Sequence, residues 1–301
     1  MTSNQVIANP AAGELLDPLR AAEGGFAMLA LDQRESLRRM FPLVDGAEAG
    51  DDALRRFKAT AARVLSPFAS AVLLDRPYAV TDSRPDTLSP ACGFILAADD
   101  LVQPPGEAVV DTHLDASITP EFVKQVGANA LKLLVVWRAD GRERERAELV
   151  GAFVTLAREA GVASLVEAIA RPADGEAWAS QAQRHEAILD AAREIAPLGG
   201  LIYKAEVPGY SPGDVSQVRE HAERMTDIVP VPWVVLSNGV AQPDFAGALR
   251  EACHGGASGF LAGRAVWADT VADPDTDGAL AGRSVERLRA LSAIVAEVRG
   301  S

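Results

Sequence analysis

Cysteine, lysine, aromatic side chains and long apolar runs are all scarce in this chain of 301 residues. Two cysteines, Cys92 and Cys253, are too few for a disulfide framework and form no CxxC pair, so a reducing, cytoplasmic setting is expected. No stretch approaches the roughly eighteen apolar residues of a membrane span. Residues Met1–Ala22 have no unbroken apolar core, and no signal peptide is expected there. Positive charge is short as well: 29 Lys and Arg against 42 Asp and Glu give a net charge of −13. That balance argues against nucleic acid or an anionic membrane as the main partner, because binding phosphate rests on clustered cations. The four histidines (His113, His185, His221, His254) are scattered, so zinc is not expected, nor any other metal or cofactor.

What is present is enough for a full core, with 48 % apolar residues and no need of a disulfide or metal to fold. Short apolar runs recur at Phe26–Asp32, Ser70–Asp75, Gly93–Asp99, Ala130–Trp137, Ala163–Ala170, Leu201–Val207, Trp233–Gly239 and Gly259–Ala265. They lack strict polar alternation, as strands of a parallel sheet buried on both faces do. Amphipathic stretches such as Arg142–Ala160 and Trp178–Ile195 lie between them, and Ser284–Arg299 reads as a closing helix. Eight strand–helix units predict an α/β fold, a (β/α)8 TIM barrel over residues 24–295 in one domain spanning 1–301, led by an arm or helix at 1–23. An open doubly wound sheet is the alternative, but no Gly-rich dinucleotide turn follows the first run.

A barrel carries its active site at the C-terminal ends of its strands. Candidates there are Asp32, Gln33 and Arg34 after the first run and Asp75 after the second, all as substrate-binding positions. Asp99 and Asp100 follow the third and are as readily helix caps or turn residues. Only four lysines occur, and two of them, Lys132 and Lys204, fall inside apolar runs. A buried ammonium is costly unless paired or deprotonated, and a deprotonated amine can form a Schiff base with a ketone. A structural Lys–Glu pair is the plainer alternative. Lys58 and Lys124 lie in helix-like segments and are expected to be solvated.

Glu167 sits inside the fifth run, where it is placed to shuttle a proton for an iminium at Lys204. Glu206, two residues beyond Lys204, is expected on the same side as a lysine partner or substrate contact. Ser237, Asn238 and Gly239, followed one strand later by Gly263 and Arg264, suggest an anion site of the kind this fold builds after its last two strands. An anion there and a polar cluster at Asp32–Arg34 would suit a sugar with negative groups at both ends. The loop 76–90 is expected to act as a lid. A sugar-phosphate isomerase or epimerase and a catalytically silent sugar-phosphate-binding protein are the rival readings.

Six blocks then carry a family resemblance: FAMLALDQRESLRRMF (26–41), LSPFASAVLLD (65–75), ALKLLVVW (130–137), LIYKAEVPGY (201–210), LSNGV (236–240) and GASGFLAGRAVW (256–267). Together they resemble bacterial class I aldolases of the tagatose-1,6-bisphosphate aldolase group, and within it the sulfofructosephosphate aldolases. The resemblance implies a TIM barrel and a metal-independent retro-aldol reaction. For the sulfosugar branch it implies cleavage of 6-deoxy-6-sulfofructose 1-phosphate, in sulfoquinovose degradation, to dihydroxyacetone phosphate and 3-sulfolactaldehyde. Tagatose or fructose 1,6-bisphosphate is the alternative substrate within the group. By the same resemblance Lys204 stands where the Schiff-base lysine stands, Glu167 where the acid/base glutamate does, and Lys132 where the supporting lysine does. Ser237, Gly239, Gly263 and Arg264 match the phosphate site. Asp32, Gln33 and Arg34 match a block near the substrate, where the distal anion's ligands are expected. Ala168 and Asn238 depart from the proline and serine of the sulfosugar branch. Barrels of this sort usually associate, so a homo-oligomer is expected.

Overall fold

Apolar runs become strands when both faces are covered, and all eight do so here. A computed structural model of the chain describes residues 12–104, 107–173 and 176–300. In chain order the strands are β1 (Phe26–Ala30), β2 (Ala71–Leu74), β3 (Gly93–Ala97), β4 (Asp99–Val102), β5 (Asp111–Leu114), β6 (Ala130–Trp137), β7 (Ala163–Ala170), β8 (Ile202–Ala205), β9 (Trp233–Val235) and β10 (Gly259–Ala262). Eight of them close into a parallel (β/α)8 barrel in the order β1-β10-β9-β8-β7-β6-β3-β2. The other two, β4 and β5, form an antiparallel hairpin that pairs Asp99 with Leu114 and Val102 with Asp111. Polar and short, this hairpin carries no apolar-run signal in the sequence.

The helices between strands begin and end where local chemistry allows. The helix Gln181–Ile195 starts after Ser180, whose hydroxyl accepts the Gln183 N–H at 3.1 Å, and not at Trp178 as its amphipathic pattern suggests. The helix Glu143–Ala160 stops at Gly161, which takes a left-handed φ of +74° that a side chain would resist. Residues 1–11 of the expected leading arm lie outside the described residues, but Ala12–Leu16 and Asp17–Leu19 form two short helical pieces. Their Leu16 and Leu19 pack into the barrel floor against Met28, Leu73, Ile95, Leu165 and Ile202. Gly93 permits this approach, since a Cβ there would stand 2.3 Å from the Pro18 carbonyl oxygen.

Above the floor, alternation puts Lys132, Glu167 and Lys204 on the inward face, in a charged layer. A further apolar layer of Leu134, Val136, Ile169 and Leu236 lies above, packed against Leu101 and Val109 from the hairpin side. The mouth is therefore bordered by the hairpin segment. The expected lid at 76–90 lies elsewhere: Arg76–Ala79 is a helical turn, and Tyr78 to Thr87 line a separate recess beside the helix Asp51–Leu65. Among the described residues no helix is long and apolar enough to cross a membrane.

Candidate active site

Strand register builds the centre of the site. Glu167 on β7 stands opposite Leu134 on β6 and Lys204 on β8. The Glu167 Oε2 atom lies 2.8 Å from Lys204 Nζ and 3.0 Å from Lys132 Nζ, so one carboxylate oxygen bridges two ammonium groups. Lys132 Nζ also donates to Asp32 Oδ2 and Asp99 Oδ2, each at 2.9 Å. Asp99 is held in place because the same Oδ2 accepts the Leu134 N–H at 3.1 Å. Lys132, Glu167 and Lys204 are 1 %, 5 % and 4 % exposed, so these contacts are little screened by solvent.

The two lysines are thus unequal. Burial disfavours the Lys132 ammonium, but Asp32, Asp99 and Glu167 outweigh it and hold its pKa well above the ordinary lysine value. Burial likewise opposes ionisation of Glu167, and the charges of Lys132 and Lys204 overcome it, keeping that carboxyl below its ordinary value. Asp32 is depressed in the same way, against burial, first by Lys132 and then by Lys204. Lys132 is therefore a fixed cation, while Lys204 meets Glu167 alone among the carboxylates within ion-pair reach in the described residues.

Asp32, Gln33, Arg34, Lys132, Glu167, Lys204, Ser237, Gly263 and Arg264 all line one cavity of about 290 Å³. Gln33 and Gly263 are neighbours, a Cβ on Gly263 falling 2.8 Å from Gln33 Nε2 and 2.7 Å from the Ala30 carbonyl. The Gln33 Oε1 atom is buried without a hydrogen-bond partner. The Arg264 guanidinium donates to Asn238 Oδ1, and burial lowers its pKa by more than the charges of Asp32 and Glu167 raise it.

Four expectations need correction. Asp75 does not reach the cavity: it is fully buried, paired with Lys58, and 3.7 Å from Arg34 Nε. Lys58 is accordingly not solvated, being 1 % exposed. Gly239 faces a neighbouring recess, where its φ of +78° lets Arg184 approach, a Cβ there standing 2.9 Å from Arg184 Nη2. Glu206 does not meet Lys204. With β8 ended at Ala205, its carboxylate accepts the Ala170 N–H at 2.9 Å and pairs with Arg184 at 3.0 Å.

Arg34 is in the cavity wall, but its guanidinium is engaged by Asp99, at 2.8 Å to the backbone oxygen and 3.3 Å to Oδ1. Two residues of the site have no counterpart among the expected ones. Asp99 looked like a cap or turn residue. Arg171, which also lines the cavity, follows Glu167 at the even spacing that marks the inward face of a strand, and that spacing was legible. Among the described residues no cluster of His, Cys, Asp or Glu is arranged to hold a metal ion.

The DeoC/LacD family aldolases match residues 26–269, a span that takes in every barrel strand and stops short of the closing helix Val285–Arg299. The chain belongs to that family. Over 280 residues it is 27 % identical to tagatose 1,6-diphosphate aldolase 2 of Streptococcus pyogenes serotype M3, covering 83 % of each chain. It is 28 % identical to tagatose 1,6-diphosphate aldolase of Listeria monocytogenes serotype 4a, covering 85 % of this chain and 81 % of that one. Among solved structures, a fructose-bisphosphate aldolase from Plasmodium falciparum matches with a TM-score of 0.71 at 16 % identity, over 95 % of this chain and 96 % of that one. An archaeal fructose-1,6-bisphosphate aldolase with its catalytic lysine bound to a carbinolamine intermediate matches with a TM-score of 0.63 at 17 % identity, over 95 % and 100 %. At such identities these likenesses establish the barrel fold.

Proposed function

We propose that the protein is a Schiff-base aldolase that cleaves a ketose 1-phosphate carrying a second anion at its far end. The observation that carries the reading is the asymmetry of the two buried lysines around Glu167. Lys132, ringed by three carboxylates, stays an ammonium and orders them. Lys204 has one partner, and that partner can take its proton and release the free amine.

In this mechanism Lys204 Nζ adds to the ketone carbon, C2. Glu167 passes the proton it took from Lys204 to the leaving hydroxyl, so that the carbinolamine loses water to give an iminium and Glu167 is again a carboxylate. Glu167 takes the proton of the C4 hydroxyl, the C3–C4 bond breaks, and its electron pair passes into the iminium to form an enamine. The aldehyde leaves, C3 is reprotonated, and hydrolysis frees Lys204 and dihydroxyacetone phosphate. Ser237, Gly263 and Arg264 would hold the C1 phosphate, with the Gly263 backbone open to close approach. The Lys132 charge keeps Glu167 ionised.

The resemblance to the sulfosugar branch favours 6-deoxy-6-sulfofructose 1-phosphate as the substrate. The relatives in Streptococcus and Listeria, by their names, favour tagatose 1,6-bisphosphate as the second reading. Borohydride reduction in the presence of dihydroxyacetone phosphate is expected to add a reduced triose phosphate at Lys204, found by peptide mass mapping. Absence of the adduct, together with activity lost to a chelator, would refute the mechanism. The ratio of kcat/KM between the sulfosugar phosphate and the two bisphosphates decides the substrate.

A further inference from the structure

The proposed reaction fixes an order of substrate atoms, and the barrel fixes an order of strands. The C1 phosphate belongs at the ends of β9 and β10, the C2 carbonyl at Lys204 on β8, and the C4 hydroxyl at Glu167 on β7. Around the ring these strands are consecutive. The substrate chain therefore runs from β10 towards β7, and its far end continues up β7 towards the mouth. The next inward-facing positions after Glu167 are Ile169 and Arg171. Arg171 keeps to the strand path, since its N–H donates to the Trp137 carbonyl oxygen at 2.9 Å.

The Asp32–Arg34 segment is on the wrong side for the far end. It follows β1, which adjoins β10 in the barrel and lies opposite β7. Arg34 is moreover already committed to Asp99 and Asp75.

Arg171 is not committed. Its Nη1 donates to the Ala170 carbonyl oxygen at 3.1 Å, while its buried Nε has no hydrogen-bond partner. Of the carboxylates whose charge acts on it, Glu206 acts most, and Glu206 is taken up by the Ala170 N–H and Arg184. Among the described residues Arg171 forms no ion pair, so it is a guanidinium aimed into a cavity with donors to spare. The segment is braced from β6, where Arg138 Nε donates to the Pro172 carbonyl at 3.2 Å and Nη1 to that of Val110 at 3.0 Å.

We propose that Arg171 is the specificity-determining ligand of the substrate's second anion, a tetrahedral oxyanion that is either phosphate or sulfonate. The inference rests on the aldolase reading above and adds to it which residue selects doubly anionic ketoses. A guanidinium fork can present two parallel donors to either oxyanion.

The test compares wild type, Arg171→Gln and Arg171→Lys on three substrates: 6-deoxy-6-sulfofructose 1-phosphate, tagatose 1,6-bisphosphate and fructose 1-phosphate, which lacks the far anion. In Arg171→Gln the ratio of kcat/KM between the better doubly anionic substrate and fructose 1-phosphate should fall by roughly ten- to a hundredfold, as for loss of one charge-assisted hydrogen bond. Arg171→Lys, which keeps the charge without the fork, should lie between. Borohydride trapping of dihydroxyacetone phosphate at Lys204 reports that each variant site is folded, and needs no far anion. An equal loss on all three substrates, or a ratio unchanged in both variants, overturns the role of Arg171 while leaving the aldolase reading intact. A wild-type enzyme that cleaves none of them overturns the aldolase reading, and this inference with it.

Discussion

Replacing Lys132 by Met tests whether the charged layer is organised as described. The substitution nearly preserves volume and removes the one ammonium on which Asp32, Asp99 and Glu167 converge. Breaking a buried pair from one side costs about 3–5 kcal/mol, because the other partner is left uncompensated. At about 2 °C per kcal/mol for a chain of this size, the melting temperature should fall by about 6–10 °C. The sign of the pH dependence should also reverse. In the wild type, the folded pKa values of Asp32 and Glu167 lie below their unfolded values. Their contribution is therefore present above the unfolded pKa of about 4 and lost as pH falls through the depressed folded values. In Lys132→Met the three clustered carboxylates repel one another in a buried site, so at least one folded pKa rises above its unfolded value. The folded state then binds protons that the unfolded state does not, and stability increases as pH is lowered from about 8 to about 5. Thermal melts of both proteins across that range provide the assay. A variant that melts within about 2 °C of wild type, or whose melting temperature does not rise on acidification, would refute the argument.

Other perturbations follow from the same contacts. Burial pushes Lys58 down and Asp75 up despite their mutual attraction, so the pair contributes little net stability. Lys58→Met combined with Asp75→Asn should destabilise less than the sum of the single changes in a denaturant double-mutant cycle, and additivity would count against it. Cys92 and Cys253 are buried, and burial raises both thiols to about 12. Native protein should therefore resist iodoacetamide near neutral pH and take up two labels once unfolded, as read by intact mass. Gly263→Ala would place a methyl against both the Ala30 carbonyl and Gln33. Because one of those neighbours is barrel backbone, we expect KM for the phosphorylated ketose to rise at least tenfold, on the order of 1.4 kcal/mol.

The parts legible from sequence and those that were not divide by where the physical cost falls. A charge inside a strand buried on both faces is costly wherever its partner is, so Lys132, Glu167 and Lys204 stand out from the apolar runs that hold them. Their partners do not stand out: Asp32 lies 100 residues from Lys132, and Asp99 lies 33 away in a hairpin with no apolar pattern. Lys58 shows the opposite failure. Its helix carries Leu54, Phe57, Ala61, Ala62 and Leu65 on the buried stripe, and Lys58 belongs to the same stripe by its spacing. A lysine in a helix is ordinarily read as solvated, because without Asp75 in view nothing offsets its burial. Arg34 and Arg171 complete the argument. Both follow barrel strands, yet Arg34 is neutralised by aspartates from β4 and the end of β2, whereas Arg171 meets only carbonyl oxygen. Position at a strand end selects candidates for anion binding. Which cation remains available is decided by carboxylates brought from elsewhere in the chain, and that assignment becomes visible only in the folded barrel.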